Sequence, residues 1–330
     1  MDISTLPMPS RSEQLMKELG ERVIIADGAM GTMLQDAAPS LEDFQGLEGC
    51  NEILNVSRPD IIESIHDAYF DTGVDAIETN TFGANWSNLS DYDIDDRIEE
   101  LAEAGAAVGR KSAEKHEAQD GRMRWVLGSM GPGTKLPSLG HTTYQHLKDT
   151  FALQALGLIK GGADAFMIET SQDLLQTKAA INGCKTAMLE SGTRLPLFVE
   201  VTVETTGTML MGSEINAALT ALEPLGIDMI GLNCATGPQE MSEHLRQLSQ
   251  HSRIPVMVMP NAGLPVLTAT GASYPLGPEE LATAHEQFVK EFGLSMVGGC
   301  CGTTPAHLRA VVQRLGGKTP ANRAPQPEPC

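Results

Sequence analysis

The chain has 330 residues, 41% of them hydrophobic, and a formal net charge of −20. That hydrophobic content suffices for a large core and excludes extensive disorder. The acidic balance argues against nucleic acid and anionic membranes as main partners, because both repel a negative surface. No apolar run approaches the roughly 20 residues that a membrane-spanning helix needs, and residues 1–11 lack the pattern of a secretory signal. We therefore expect a cytoplasmic protein without a membrane partner.

Short apolar runs alternate with longer amphipathic stretches along the chain. The runs are bounded by Gly, Pro, Asn or Asp, which is typical of buried parallel strands. They comprise residues 23–26, 74–77, 125–127, 165–168, 197–201, 229–232, 256–259 and 294–297. Apolar residues at helical spacing predict helices over residues 60–71, 242–251 and 279–292. Eight strands with helices between most of them predict an α/β fold of the (β/α)8 TIM-barrel type; a doubly wound sheet is the alternative, although eight strands is large for it.

The chain divides into three parts. We interpret residues 1–21 as an N-terminal extension with a lead-in helix, residues 22–315 as the barrel, and residues 316–330 as a flexible linker or tail. The tail is rich in Pro, Ala and Gly and has no apolar periodicity. A linker of this kind favours a chain cut from a longer protein. Residues 91–103, with seven acidic residues and one arginine, predict a solvated face and the start of a helix.

Every predicted strand is followed by a polar or metal-binding group. The segments are Asp27-Gly28-Ala29, Glu78-Thr79-Asn80, Gly128-Ser129, Glu169-Thr170, Thr202-Val203-Glu204, Asn233-Cys234, Asn261-Ala262 and Gly299-Cys300-Cys301. In a parallel barrel the C-terminal ends of the strands converge on one rim, where active sites are built. We therefore expect the active site at the C-terminal rim of the strands.

Three of the six cysteines follow predicted strands six and eight, namely Cys234, Cys300 and Cys301. Only one strand separates them, so in a barrel their thiols can reach one metal ion. Three thiolates and an open fourth position are typical of a catalytic zinc site, and sulfur ligands favour zinc over magnesium or calcium. The other three cysteines, which are assigned no role, are Cys50, Cys184 and Cys330.

A zinc ion with three thiolates carries a net charge of −1, and it would deprotonate a thiol arriving as the fourth ligand near neutral pH. The electron-rich centre leaves that sulfur nucleophilic. This arrangement therefore suits transfer of an electrophilic group onto a thiol. It suits hydrolysis poorly, because ligands that polarise water are commonly His and carboxylate.

Charged and backbone groups near the thiols point to an amino-acid substrate. We expect one or two of the rim carboxylates to bind a substrate ammonium, with a glycoside-hydrolase pair as the alternative. These carboxylates are Asp27, Glu78, Glu169 and Glu204. The small residues of segment 27–31 expose N–H groups that could hold a carboxylate, or else form only a tight turn. The segment lacks the third glycine of a dinucleotide-binding loop.

These motifs together resemble the homocysteine S-methyltransferase family. The resemblance runs from about residue 22 to residue 315 and is carried by segments 27–32, 78–82, 231–234 and 298–302. Within the family, segments 51–55, 128–135 and 203–209 look most like the N-terminal homocysteine module of cobalamin-dependent methionine synthases. They look less like betaine- or S-methylmethionine-dependent members.

The resemblance implies an enzyme whose zinc ion, Zn(2+), activates L-homocysteine for methyl transfer that gives methionine. It implies catalytic zinc ligation by Cys234, Cys300 and Cys301. It implies substrate binding by Asp27, Gly28, Ala29, Glu169 and Asn233.

The resemblance also implies that methylcobalamin, supplied from elsewhere, is the methyl donor. The cobalamin- and folate-binding modules of a longer methionine synthase are then the expected partners, because 330 residues are too few to include them. Two alternatives stay open. One is a stand-alone homocysteine S-methyltransferase that uses S-methylmethionine or betaine, and the other is a zinc- and thiol-binding module without turnover.

Overall fold

The computed structural model describes residues 2–268 and 271–326, and it contains a barrel of eight parallel strands. The strands are β1 (Ile24–Ile25), β2 (Ala76–Glu78), β3 (Trp125–Met130), β4 (Ala165–Ser171), β5 (Leu197–Val201), β6 (Met229–Asn233), β7 (Val256–Met259) and β8 (Met296–Val297). From β2 to β8 each strand pairs with the next, and β8 pairs with β1. The N–H of Asp75 donates to the carbonyl of Ile25 at 2.7 Å, which joins β1 to β2. The predicted (β/α)8 TIM barrel is therefore confirmed.

Helices surround the barrel. They are α1 (Ser10–Glu21), α2 (Met30–Ala37), α3 (Leu54–Ser57), α4 (Pro59–Phe70), α5 (Trp86–Leu89), α6 (Ile98–Asp120), α7 (Tyr144–Gly161), α8 (Leu174–Ser191), α9 (Ile215–Leu222), α10 (Pro238–His251), α11 (Pro278–Phe292) and α12 (Pro305–Leu315). The predicted helices over 60–71, 242–251 and 279–292 correspond to α4, α10 and α11. Helix α6 begins inside the acidic stretch 91–103, as expected. In the described part of the chain, every helix is too short or too polar to cross a membrane.

The inside of the barrel and its outer, helix-facing layer have separate cores. In β5, Phe198 packs with the interior, whereas Val199 and Val201 pack with the helix-facing core. This alternation follows from the two-residue period of a strand. Leu15 and Leu19 of α1 join the interior core and are 0% and 1% exposed, so α1 closes the N-terminal mouth of the barrel.

The loop between β7 and α11 contains two further short strands, Val266–Thr268 and Gly271–Ser273, which pair antiparallel. The segment after α12 is hydrogen-bonded to the barrel as far as it is described. Its backbone bonds join the N–H of Val23 to Lys318 O at 2.8 Å, the N–H of Ala321 to Val289 O at 3.1 Å and the N–H of Gln326 to Gln250 O at 2.8 Å. Residues 327–330, including Cys330, lie outside the described residues.

Candidate metal and substrate site

Three cysteine thiols meet at the C-terminal ends of β6 and β8. The Sγ atom of Cys301 lies 3.9 Å from that of Cys234 and 4.0 Å from that of Cys300. All three sulfurs lie within 4.8 Å of one another. Zn–S bonds of about 2.3 Å in a tetrahedron place sulfurs about 3.8 Å apart. The donor set therefore fits a zinc ion, and the predicted convergence of these three residues is observed.

Hydrogen bonds between neighbouring loops hold the thiols in place. The N–H of Cys300 donates to Pro260 O at 2.8 Å, and the N–H of Cys301 donates to Asn261 Oδ1 at 3.1 Å. The loop after β7 therefore supports the cysteines that follow β8. These contacts preorganise the cluster, since metal ligands need partners that fix their orientation.

Gly302 lets the chain turn immediately after the cysteine pair. Its φ angle is 77°, in the left-handed region that favours glycine. A Cβ atom at this position would lie 2.3 Å from the ring of Tyr274. The glycine thus allows both the turn and the close approach of Tyr274, whose side chain helps to lower the pKa of the Cys301 thiol.

The thiols of the cluster differ in acidity. Hydrogen bonds from Cys234 and Cys300 lower the pKa of Cys301 to about 3. The pKa of Cys300 is raised well above its usual value, because its thiol hydrogen-bonds to Cys234 and Cys301 and is buried. Negative charge is therefore more favourable on Cys301 than on Cys300.

Glu169, at the C-terminal end of β4, faces the same site. The hydroxyl of Ser129 donates to its Oε1 atom, and the amide of Asn233 donates to its Oε2 atom at 3.2 Å. Burial raises the pKa of Glu169 to about 7, although the hydrogen bond from Ser129 opposes this rise. Burial therefore makes a negative charge on this carboxyl group less favourable than it is in water.

Asp27 lies just after β1 and is 2% exposed. Its Oδ2 atom accepts a hydrogen bond from the N–H of Glu78 at 3.1 Å, whereas Oδ1 has no hydrogen-bond partner among the described residues. Burial raises the pKa of Asp27 well above its usual value, and the negative charge of Glu169 adds to this effect. The free oxygen leaves Asp27 able to accept a hydrogen bond from a ligand.

Gly28 and Ala29 pack against Thr303 beside α2. The N–H of Ala29 donates to the Thr303 hydroxyl at 3.2 Å, and a Cβ atom at Gly28 would lie 2.6 Å from that hydroxyl. Both residues line the cavity next to the cysteines. That their N–H groups hold a substrate carboxylate stays a prediction, and it requires the N–H of Ala29 to release Thr303.

One carboxyl group inside the barrel, that of Glu200, was not predicted from the sequence. Glu200 shares the inward face of β5 with Phe198 and is 0% exposed, and neither of its oxygens has a hydrogen-bond partner within the described residues. Burial and the nearby Glu169 raise its pKa well above the usual range. Glu204, the fourth of the predicted rim carboxylates, does not line the cavity; its N–H donates to Thr208 O at 2.9 Å in the turn that follows β5.

A cavity of about 260 Å³ opens between these groups. Its walls are formed by the three cysteines, by Glu78, Ser129 and Glu169, and by segment 28–32. Ligand pockets commonly measure about 300–1,000 Å³, so this cavity suits a small molecule. Both sulfur ligands and carboxyl groups line it, which fits a small thiol that also carries a positive charge.

Comparisons with known proteins agree with this chemistry. The family model described as homocysteine S-methyltransferase matches residues 24–315. The chain is 65% identical over 297 residues to methionine synthase of Mycobacterium tuberculosis (strain ATCC 25618 / H37Rv), and 63% identical over the same length to that of Mycobacterium leprae (strain TN). Each match covers 90% of this chain but only 25% and 24% of the relatives. The chain thus spans about a quarter of the length of these curated relatives.

Solved structures show the same fold. The metallated form of the homocysteine methyltransferase MmuM from Escherichia coli has a TM-score of 0.74 and 20% sequence identity, covering 92% of this chain and 100% of that chain. Its apo form has a TM-score of 0.68 at 20% identity, covering 89% and 96%. At this identity the likeness concerns the fold alone. Because the family model spans almost the entire barrel, the chain belongs to the homocysteine S-methyltransferase family, as the sequence motifs predict.

Proposed function

We propose that this chain binds Zn(2+) through Cys234, Cys300 and Cys301, activates L-homocysteine as a thiolate, and transfers a methyl group to its sulfur to give methionine. The convergence of three thiols beside a small cavity carries this proposal. A zinc ion bound there supplies a site at which a thiol loses its proton near neutral pH. The other contributions come from the chain itself.

The donor set favours group transfer over hydrolysis. Three thiolates are electron-rich ligands, so a substrate sulfur held next to them keeps its nucleophilicity. Sites that activate water commonly use His and carboxylate ligands, which polarise it more strongly. No histidine joins the cysteine cluster in the described part of the chain.

Carboxyl groups at the cavity would bind the amino group of the substrate. We assign the ammonium group to Glu169 and Asp27, which are both buried. Glu169 lines the cavity, and Asp27 directly precedes Gly28, which also lines it. The N–H groups of Gly28 and Ala29, next to the start of α2, would take the carboxylate, since helix starts favour anions. Asn233 orients Glu169 through its amide.

We propose methylcobalamin, supplied by another module or protein, as the methyl donor. The length of the mycobacterial relatives supports this, since most of each methionine synthase lies outside the match. Residues 22–315 would then be the homocysteine domain, residues 1–21 its lead-in segment and residues 316–330 a linker towards folate- and cobalamin-binding modules, working in the cytoplasm.

A panel of methyl donors tests this function. Zinc-loaded protein and L-homocysteine would be incubated separately with methylcobalamin, methyltetrahydrofolate, S-methylmethionine and glycine betaine, and methionine would be measured by mass spectrometry. We expect slow methionine formation with methylcobalamin, because an untethered donor lacks the effective concentration of a linked module. We expect none with methyltetrahydrofolate alone. Fast turnover of S-methylmethionine or betaine would replace the assigned donor, and absence of homocysteine binding would overturn the function itself.

A further inference from the structure

Thr170 has a backbone conformation that its side chain disfavours. Its φ angle is 54°, and a β-branched residue in the left-handed region is a genuine outlier because its Cβ crowds the backbone. The pairing register of β4 with β5 also shifts between Ile168 and Ser171. Strain of this kind persists only where surrounding contacts enforce it, and it gathers at functional sites.

The side chain of Asn233 enforces this conformation. The N–H of Thr170 donates to Asn233 Oδ1 at 2.9 Å, and Asn233 Nδ2 donates to Thr170 Oγ1 at 2.9 Å. We call this reciprocal pair of bonds the Thr170–Asn233 clamp. Asn233 is 1% exposed, so water does not compete for these bonds.

The clamp touches both halves of the site. The same Nδ2 atom of Asn233 donates to Oε2 of Glu169, the residue just before Thr170. Asn233 also directly precedes Cys234, which has a left-handed φ of 57°. The hydroxyl of Thr202, the residue just after β5, donates to the carbonyl of Asn233 at 3.2 Å and helps to fix its position. One amide therefore links the carboxyl group at the end of β4 to the thiol at the end of β6.

We propose that the Thr170–Asn233 clamp is a positioning device that couples the amino-group pocket at Glu169 to the sulfur centre at Cys234. The inference rests on the proposed function, because it assigns Glu169 to the substrate ammonium. When the ammonium fixes Glu169, the amide of Asn233 and the backbone of Cys234 are fixed with it. Binding of the amino group thus strengthens binding of the thiol. Thr170 itself lines the cavity, and its part in the coupling runs through its two hydrogen bonds to Asn233.

Substitutions at Thr170 separate positioning from stability. Thr170→Gly removes both the hydroxyl group and the backbone strain, Thr170→Val removes only the hydroxyl group, and Thr170→Ser is the control that keeps it. We expect Thr170→Gly to melt at a higher temperature than Thr170→Val, because glycine adopts a positive φ freely. Despite this, both should bind L-homocysteine about tenfold more weakly, the effect of losing one buried hydrogen bond. Thr170→Ser should bind nearly as the unmodified protein does.

The coupling is measured with a second ligand, 4-sulfanylbutanoate, which is homocysteine without its amino group. Calorimetric titration of the zinc-loaded protein gives the ratio of the two affinities, and chelator competition confirms that zinc is retained. We expect this ratio to shrink about tenfold in Thr170→Gly and in Thr170→Val. An unchanged ratio in Thr170→Gly would overturn the clamp. Equal binding of both thiols by the unmodified protein, or binding of neither, would instead overturn the proposed function on which the clamp depends.

Discussion

The backbone N–H of Glu78 donates to the Oδ2 atom of Asp27 at 3.1 Å. This bond crosses from β1 to β2, the two strands at the ends of the hydrogen-bonded strand order, where the barrel closes. One carboxyl oxygen of Asp27 therefore helps to close the barrel. The other, Oδ1, is buried without a hydrogen-bond partner among the described residues. The same side chain thus serves the closure of the barrel and the site above it.

Two substitutions of Asp27 should separate these roles. Asp27→Asn keeps an oxygen for the N–H of Glu78, so its melting temperature should stay close to that of the unmodified protein. It replaces the ionisable carboxyl group with a neutral amide that cannot become charged beside a bound ammonium group. Homocysteine should therefore bind about 10- to 100-fold more weakly by calorimetry, since hydrogen bonds to charged groups contribute roughly 1.5–3 kcal/mol. Asp27→Ala leaves a buried N–H unpaired and should lose about 1–3 kcal/mol of stability. Equal destabilisation by both variants would contradict the structural role.

Zinc content should depend on the three clustered cysteines. Serine at Cys234, Cys300 or Cys301 removes a thiolate ligand, so zinc measured by atomic absorption should fall well below one ion per chain. Cys184→Ser is the control, because Cys184 is buried in α8 away from the cluster. Full zinc retention by Cys234→Ser would show that the metal lies elsewhere.

Stability should fall as the pH rises, partly because of Glu200. Burial raises the pKa of Glu200 in the folded state, so above the usual carboxyl pKa the folded protein holds a proton that the unfolded chain has lost. The stabilising contribution is complete at low pH and is lost as the pH increases, by up to about 1.4 kcal/mol per pH unit for one proton. Urea unfolding of Glu200→Gln should therefore give a flatter decline between about pH 5 and 8. Glu204→Gln, in the turn after β5, is the control for the same chemical change at a residue outside the barrel interior. A decline in Glu200→Gln as steep as that of the unmodified protein would refute this linkage.

Gly302 should tolerate no side chain. Gly302→Ala places a methyl group against Tyr274 at a φ of 77°, so it should weaken zinc binding and lower the melting temperature. Gly140→Ala is a matched control, because Gly140 has a φ of 75° with no atom within 4 Å of an added Cβ. It carries the same backbone strain without the steric clash. If both variants bind zinc equally, the contact with Tyr274 does not support the cluster.

Much of the site could be predicted because barrel topology converts sequence order into proximity. Cys234 and the pair Cys300 and Cys301 are far apart in sequence, yet they follow strands separated only by β7. The apolar runs located these strands, with the runs over 197–201 and 256–259 matching β5 and β7 at both ends. Knowing where strands end was therefore enough to bring the thiols together.

Other features depend on contacts that no local pattern encodes. Glu200 lies inside an otherwise apolar run and was taken as part of a buried strand; a lone carboxyl group at an inward position was the signal that could have found it. Glu204 also carries a carboxyl group, but β5 ends at Val201 and Glu204 lies in the turn that follows. The left-handed conformation of Thr170 is set by Asn233, 63 residues later, and nothing adjacent to Thr170 predicts it.

The closure of one barrel mouth by α1 limits how ligands reach and leave the cysteines. With Leu15 and Leu19 filling the N-terminal mouth, a molecule reaches the cysteines from the rim side, where the cavity opens. Among the described residues, a substrate would therefore enter and a product leave through the same opening at the rim. Under the proposed function, a methylated product that stays at the thiols would block the next homocysteine, because the two would occupy the same space. The rate of product departure would consequently set an upper limit on the rate of each cycle, whatever donor supplied the methyl group.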